Sequence, residues 1–397
     1  MTAARDRPGT GSGEGVTYER GKQIYMIRVG ITGQPGFVGT HLFNFLGLDK
    51  DRFTLVPFRD EIFGQKEELT GWVKQCDAIV HLAALNRHNE PEQIYRTNVR
   101  LVKELIAAME ETGSAPHVLF SSSTQEQYDN PYGRSKKEGR ELLFAWAEKS
   151  GAPFTGLVIP NVFGPFGHPY YNSVVATFSH QLTHGEKPRI EVDKQMQLIY
   201  VGELTEVIRD CILRRVSDPQ YMVPHTSESK VTEILALLES YRSGYAEKGI
   251  IPSLRNDFER NLFNTFRCYM DIPNHFPVML EEKSDARGTF VETMKLGVGG
   301  QVSFSTTKPG ITRGNHYHTR KIERFAVIRG QAVIRLRRVG TAEVHEFHLD
   351  GSRPSYVDMP VWYTHNITNT GKDELYTLFW INEFFDPSDP DTFYEEV

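Results

Sequence analysis

From Ile27 the chain alternates short apolar runs with longer stretches in which apolar residues recur every three or four positions. The short runs read as buried strands and the longer period as the inward stripe of a helix. Expected strands are Ile27–Thr32, Phe53–Phe58, Ala78–Leu82, His117–Ser121 and Phe154–Ile159. Expected helices are Gly39–Leu46, Tyr95–Thr112 and Ser135–Lys149, the second with Val102, Leu105, Ile106 and Met109 on one face. Strand and helix in alternation predict a doubly wound α/β fold around a parallel sheet. Past Asp271 the texture changes to closely spaced alternating strands, among them Arg324–Ile328 and Ala332–Arg337, joined by turns containing Gly and Pro. That pattern predicts an all-β domain, a small barrel or jelly roll.

A chain of 397 residues exceeds the size at which one core usually stops growing, so two domains are expected. Pro273 and Pro277 mark the join, which gives an α/β domain over residues 26–275 and an all-β domain over 276–397. Residues 1–25 contain the run Gly-Thr-Gly-Ser-Gly-Glu-Gly and too few apolar side chains to offset the entropy of ordering, so a disordered tail is expected there.

Charge narrows the function classes. The net charge of −6 comes from 51 acidic and 45 basic residues with no basic block, which argues against nucleic acid or an anionic membrane as partner. Cys76, Cys211 and Cys268 are odd in number and widely spaced, as reduced core thiols would be. No apolar run is long enough to cross a bilayer, and the N-terminus lacks the succession of a secretory signal. A soluble cytoplasmic protein is the expectation.

The first chemical constellation is Thr32-Gly33-Gln34-Pro35-Gly36-Phe37-Val38-Gly39, between the first strand and the first helix. Glycines there let the backbone approach a pyrophosphate at the positive end of a helix, which makes Gly33, Gly36, Phe37, Val38 and Gly39 candidate dinucleotide-binding residues. At the end of the second strand stand Arg59, suited to the 2′-phosphate of NADPH, and Asp60, which keeps NADH open. Tyr132-Gly-Arg-Ser-Lys136 then places a phenol and an ammonium on one helix face. The ammonium favours phenolate, so the tyrosine can pass a proton to a carbonyl oxygen as hydride reaches carbon. A hydroxyl of Ser121-Ser122-Ser123 can hydrogen-bond that oxygen.

In this order the motifs resemble the extended branch of the short-chain dehydrogenase/reductase family, which acts on sugar nucleotides, over about Ile27 to Cys268. The resemblance implies a Rossmann-type sheet, with Tyr132 as acid, Lys136 as its partner and cofactor-ribose contact, and Ser123 as the carbonyl-positioning hydroxyl. It also implies Leu82 and Ala83 in a cofactor-facing turn, Asn98 as a helix residue stabilising the site, and Asn161 in a substrate-entry loop. The segment from Ser123 to Tyr132 is shorter than usual in this branch, which leaves Ser121, Ser122, Ser123 and Thr124 as alternatives.

The second constellation is His316-Tyr-His318 with Glu323 five residues on and His365 downstream. Alternate strand residues share a face, so two imidazoles converge, and three histidines with a carboxylate suit Zn²⁺, Fe²⁺, Mn²⁺ or Ni²⁺. The segment resembles the cupin signature. Its second motif is partial, because Trp362 stands where cupins usually have glycine. Asp285-Ala-Arg287-Gly288 and Arg313-Gly-Asn-His316 are also similar to cupin-fold epimerases of deoxysugars, in which that histidine is a base and not a ligand. His316 therefore has two possible roles, and Lys321, Tyr317 and Asp358 are further candidate bases.

Taken together, the motifs resemble the bifunctional capsular polysaccharide enzymes of UDP-N-acetyl-L-fucosamine biosynthesis. Further matching segments are Tyr171-Asn172-Ser-Val174, Tyr363-Thr-His365-Asn366-Ile and Phe385-Asp-Pro-x-x-Pro-Asp-Thr392. The resemblance implies C3 epimerisation of a UDP-4-keto-6-deoxy-N-acetylhexosamine by the cupin, C4 reduction with NADPH by the other domain, bound zinc, and a homodimer. It further implies Asn161, Asn172 and Arg287 as substrate contacts. A reductase with a purely structural cupin, and a non-catalytic NADPH-sensing protein, are the other readings.

Overall fold

The computed structural model describes residues 16–19 and 22–397. Of the tail expected over 1–25, Val16–Glu19 and Lys22–Tyr25 pair as a short antiparallel ladder, and the remainder lies outside the described residues. The chain forms two compact units, one running to Pro160 and resuming at Gly202–Pro224, the other made of Asn161–Val201 and His225–Val397.

The first unit is built on a parallel sheet of six strands: β1 (Ile27–Thr32), β2 (Phe53–Val56), β3 (Ala78–His81), β4 (His117–Ser123), β5 (Phe154–Ile159) and β6 (Asp218–Met222). Their spatial order is β6-β5-β4-β3-β1-β2, with the chain reversing direction across the sheet after β2. Crossovers are made by α1 (Phe37–Gly47), α2 (Lys66–Val73), α3 (Pro91–Thr112) and α4 (Pro131–Ser150). This is the expected doubly wound architecture, with element ends adjusted by local chemistry. β2 stops at Val56 because Pro57 has no N–H to continue the ladder. The third and fourth helices begin four residues earlier than expected because Pro91 and Pro131 each open the first turn, where the missing N–H costs nothing. The core beneath α2, α3 and α4 packs Trp72, Val73, Leu105, Met109, Phe120, Leu143 and Trp146.

The second unit contains the all-β region. Its strands are β7 (Val278–Met279), β8 (Gln301–Thr307), β9 (Thr312–Tyr317), β10 (Glu323–Arg329), β11 (Gln331–Arg338), β12 (Val344–Asp350), β13 (Ser355–Met359), β14 (Tyr363–Asn369), β15 (Leu375–Ile381) and β16 (Phe393–Tyr394). They form two antiparallel sheets of five, ordered β7-β13-β10-β15-β8 and β12-β11-β14-β9-β16. Ala326, Val327, Ile334, Leu336, Phe347, Val357 and Ile367 form their shared core.

The boundary expected between residues 275 and 276 falls inside this second unit. A buried polar network explains why. Arg324 donates to both carboxylate oxygens of Asp358 at 2.6 and 2.8 Å, Tyr245 donates to Asp358 at 2.7 Å, and Arg267 donates to the carbonyl of Met359 at 2.7 Å. Breaking one partner of such a buried pair costs about 3–5 kcal/mol, so the segment before residue 275 is fastened to the strands after it. Among the described residues no helix is long and apolar enough to cross a membrane.

Candidate active sites

The glycine loop leaves β1 and enters α1. Gly33 has φ +69°, and a Cβ there would lie 2.8 Å from the backbone of Ala83. A Cβ on Gly39 would lie 2.2 Å from the carbonyl of Gly33, so both positions require glycine. Gly36 is the N-cap and brings no side chain to the amides of the first turn, where Phe37, Val38 and Gly39 follow. Such a turn presents N–H groups to an anion. Leu82 and Ala83 lie opposite, donating their amides to the carbonyl and hydroxyl of Thr32 at 3.2 Å each.

Arg59 and Asp60 diverge. The Arg59 side chain is 77% exposed and meets Glu68 only at 3.9 Å. The Asp60 carboxyl is raised by burial and then by Glu61, against a backbone hydrogen bond at Gly33 that lowers it. The acid thus sits at the glycine loop while the guanidinium reaches into solvent.

The serines are sorted by their partners. Ser121 donates to the carbonyl of His81 at 3.1 Å and Ser122 to Glu126 at 2.8 Å, so both hydroxyl protons are committed. Ser123, at the end of β4, accepts from the Gln125 amide at 3.2 Å and keeps its proton to give. Lys136 is 3% exposed. Its Nζ donates to the Ser121 carbonyl at 2.7 Å and lies 5.6 Å from the Tyr132 ring, and burial pushes the ammonium down to about 7. Asn98 on α3 supports this face: it exchanges hydrogen bonds with both backbone groups of Leu85 and donates to Ser135 at 3.0 Å.

Asn161 and Asn172 belong to the second unit. Asn161 donates to the Gln197 carbonyl at 3.0 Å, and Asn172 is exposed in a loop. Arg287 stands at the turn of the exposed hairpin Glu282–Asp285/Gly288–Val291, its side chain 90% exposed and paired with Asp285 at 2.5 Å.

In the all-β region, ligand atoms of His316, His318, Glu323 and His365 all lie within 4.8 Å of one another. Register places His316 of β9 opposite His365 of β14, after a bulge at Asn315, whose φ is +61°. Glu323 Oε2 lies 3.1 Å from His318 Nε2 and 3.2 Å from His365 Nε2. These three atoms are buried and close, yet none completes a well-directed hydrogen bond. Orphaned buried atoms converging from three side chains fit a metal ion, and the His₃Glu donor set is one that Zn²⁺ takes. Main-chain carbonyls orient the rings: His318 Nδ1 is bonded to Asp391 O and His365 Nδ1 to Tyr363 O at 3.1 Å. Burial would raise the Glu323 carboxyl, but His318 and His365 outweigh it and hold it below the ordinary range. Burial, then the neighbouring His365, pushes His316 down to about 4, so its imidazole is neutral.

Trp362 adopts φ +62°, in the left-handed region that favours glycine. Of the other candidate bases, Asp358 is bound by Arg324 and Tyr245, and Lys321 Nζ donates to the Pro390 carbonyl at 2.6 Å. Tyr317 is stacked between Trp362 and Phe393. Asp391 is a site residue that residue-type reasoning passes over, because its contact with His318 runs through the main chain.

Known proteins supply the remaining context. Residues 29–221 match the NAD dependent epimerase/dehydratase family, and residues 283–393 match the polysaccharide biosynthesis C-terminal domain. The chain is 33% identical over 384 residues to the UDP-2-acetamido-2,6-beta-L-arabino-hexul-4-ose reductase of Pseudomonas aeruginosa, covering 92% of this chain and 98% of that one. Among solved structures it is similar to the capsular polysaccharide assembling protein CapF from Staphylococcus aureus, with TM-score 0.59, 33% identity, and coverage of 94% of this chain and 100% of that one. The UDP-glucose 4-epimerase of Thermotoga maritima shares the fold over 61% of this chain and 98% of its own, at 18% identity and TM-score 0.52. The nearly end-to-end match with the Pseudomonas enzyme places the chain in the family of UDP-2-acetamido-2,6-beta-L-arabino-hexul-4-ose reductases, to which it belongs.

Proposed function

We propose that the chain performs two consecutive steps on a UDP-linked 4-keto-6-deoxy-N-acetylhexosamine. The all-β region epimerises C3, and the first unit then reduces the C4 ketone with NADPH, giving UDP-2-acetamido-2,6-dideoxy-L-talose. The observation that carries this reading is the buried Lys136 ammonium, fixed on the Ser121 carbonyl beside the Tyr132 ring, in a chain that also carries the glycine loop and the His₃Glu cluster.

Ser123 donates its proton to the C4 oxygen, Tyr132 transfers a proton to that oxygen, and Lys136 keeps the phenol acidic and holds the cofactor ribose. NADPH, when bound, would supply the hydride, and Arg59, exposed beside the glycine loop's acid, is the cation that would pair with its 2′-phosphate. Epimerisation comes first because the C3 hydrogen is acidic only while C4 is a ketone. His316, His318, Glu323 and His365 would hold a divalent ion, Zn²⁺ by donor type, which polarises the keto oxygen when bound. Asn161, Asn172 and Arg287 are proposed substrate contacts, the last from an exposed turn where it pairs with Asp285. The family resemblance supports a homodimer, which light scattering tests, and the reduced, widely spaced cysteines support a cytoplasmic location.

The test is NMR of the sugar protons in D₂O with the keto-sugar and no NADPH, followed by addition of NADPH. Loss of the C3 proton signal, then consumption of NADPH that depends on Tyr132, is the expected result. Reduction without any C3 exchange would leave a reductase carrying a structural all-β region.

A further inference from the structure

The closing motif Pro390-Asp391-Thr392 has no part in the chemistry described so far, yet it packs against the turn after β9, where His318 follows the strand that bears His316. Asp391 is 3% exposed and sits at φ +39°, in the left-handed region that residues other than glycine avoid. Surrounding contacts hold it there. Its Oδ1 accepts from the Thr319 amide at 3.0 Å and the Thr319 hydroxyl at 2.7 Å, and its Oδ2 accepts from the amides of Arg320 at 3.1 Å and Lys321 at 2.9 Å. One carboxylate thus closes a turn of three consecutive amides between His318 and Glu323. Its own carbonyl meets His318 Nδ1. Because a carbonyl can only accept, Nδ1 carries the proton, and in the neutral ring Nε2, which faces Glu323 at 3.1 Å, is the nitrogen left to bind an ion.

Neighbouring residues brace the same segment. Lys321 Nζ donates to the Pro390 carbonyl at 2.6 Å, and Arg320 pairs with Asp389 at 2.8 Å. Phe393 stacks on Tyr317, while β16 pairs with β9 so that Tyr394 stands opposite His316.

We propose that Asp391 is a positioning residue of the metal cluster: its carboxylate fixes the turn 319–321, and through that fixed geometry its carbonyl sets the tautomer and direction of His318. The proposal rests on the reading of the cluster as a metal site. It makes the C-terminal segment part of the site, although Asp391 lies 73 positions from His318. A strained backbone conformation at a buried residue is retained when the surroundings over-determine it, and here the over-determining contacts are those that aim the histidine.

The experiment measures Zn²⁺ affinity by competition with a chromogenic chelator, and the visible absorption of the Co²⁺-loaded protein, on the full chain. Wild type is compared with Asp391→Ala, Asp391→Asn, His318→Ala and the double variant Asp391→Asn/His318→Ala. Loss of a partner that orients a ligand typically weakens metal binding about 10–100-fold. A fall in that range is expected for Asp391→Ala, a smaller fall for Asp391→Asn, and an altered Co²⁺ band in both. Asparagine keeps the size of the side chain and one acceptor oxygen, so Asp391→Asn decides the matter if the alanine variant does not fold. In the His318→Ala background, Asp391→Asn should change affinity by less than twofold, because the effect runs through that ring. Unchanged affinity and spectrum in a folded Asp391→Asn, or an undiminished effect without His318, overturns the proposal. Failure of wild type to bind either metal sinks the metal reading itself, a separate outcome.

Discussion

The amide of Trp362 donates to the carbonyl of His318 at 2.8 Å while its indole stacks on Tyr317 with ring centroids 5.6 Å apart. A single residue thereby joins the start of β14 to the end of β9, on which the cluster depends. Its left-handed backbone conformation costs about 1–3 kcal/mol in a residue with a Cβ. Burial of the ring offsets that cost.

Replacing Trp362 with glycine removes both effects at once. Loss of a buried aromatic costs about 3–5 kcal/mol, and relief of strain returns about 1 kcal/mol or more, for a net destabilisation of about 2–4 kcal/mol. The amide contact with His318 is main-chain and survives. Urea denaturation should therefore shift clearly, while Zn²⁺ affinity changes less than threefold. A variant that loses metal affinity in proportion to stability would show that the indole itself aims His318.

The sequence made the alternating sheet, the glycine loop and the four cluster residues legible because each rests on local spacing. His316 ends a strand and His318 follows two residues on, just past its end, while Tyr132 and Lys136 are four apart on one helix, so near-neighbour spacing brings each pair together. Asp391 was legible only as a motif without a task, since its role uses a carbonyl that every residue possesses and a contact across 73 positions. The division between units was hidden for a related reason. Arg324, Asp358, Tyr245 and Arg267 are ordinary polar residues in the chain, and only their long-range meeting ties residues 225–275 to the strands that follow. Which serine carries a spare proton likewise depended on partners, His81 and Glu126, that no spacing announces.

Lys136 links cofactor binding to pH. Burial pushes its ammonium down to about 7, so above that pH the empty site holds a neutral amine. If the bound ribose hydroxyls and the Tyr132 phenol favour the charged form, binding takes up a proton, and affinity for NADPH falls as pH rises above about 7 by up to about tenfold per unit. Fluorescence titration between pH 6.5 and 9 measures this. Lys136→Met should lose the slope and lower kcat by about 10²–10⁴-fold, the usual range for a disabled acid–base pair. An equal slope in wild type and variant would assign the proton to another group.

His81 makes the first unit sensitive to acid. Its ring is buried and bonded through Nδ1 to the Thr32 hydroxyl at 2.7 Å; burial, then the charge of Lys136, pushes it down to about 3. An unfolded histidine takes up its proton near pH 6.5, so between about 6.5 and 3 the unfolded chain binds the extra proton and stability falls with falling pH. A shift of this size corresponds to about 5 kcal/mol at most. His81→Gln should be less stable than wild type at pH 7.5 through loss of the Thr32 contact, yet lose less between pH 6.5 and 4.5. Parallel denaturation midpoints for the two proteins across that range would count against His81 as the sensor.

If the cluster holds the proposed metal, chelation should separate the two chemistries. The cluster atoms belong to β9, β10 and β14 or the turn after β9, whereas Ser123, Tyr132 and Lys136 belong to the first unit, so no ligand is shared. Exhaustive chelation should slow C3 exchange in D₂O at least about 100-fold, since the C3 carbon acid loses the charge that polarises its carbonyl. NADPH oxidation with a keto-sugar already inverted at C3 should stay within about twofold. Glu323→Gln should behave like chelation, because the amide has the shape of the carboxylate but not its charge, and added Zn²⁺ should restore exchange in the chelated wild type only. Exchange that persists in metal-free protein but disappears in His316→Ala would make His316 a base acting without an ion. The convergence of His318, Glu323 and His365 would then be a buried polar network and not a ligand set.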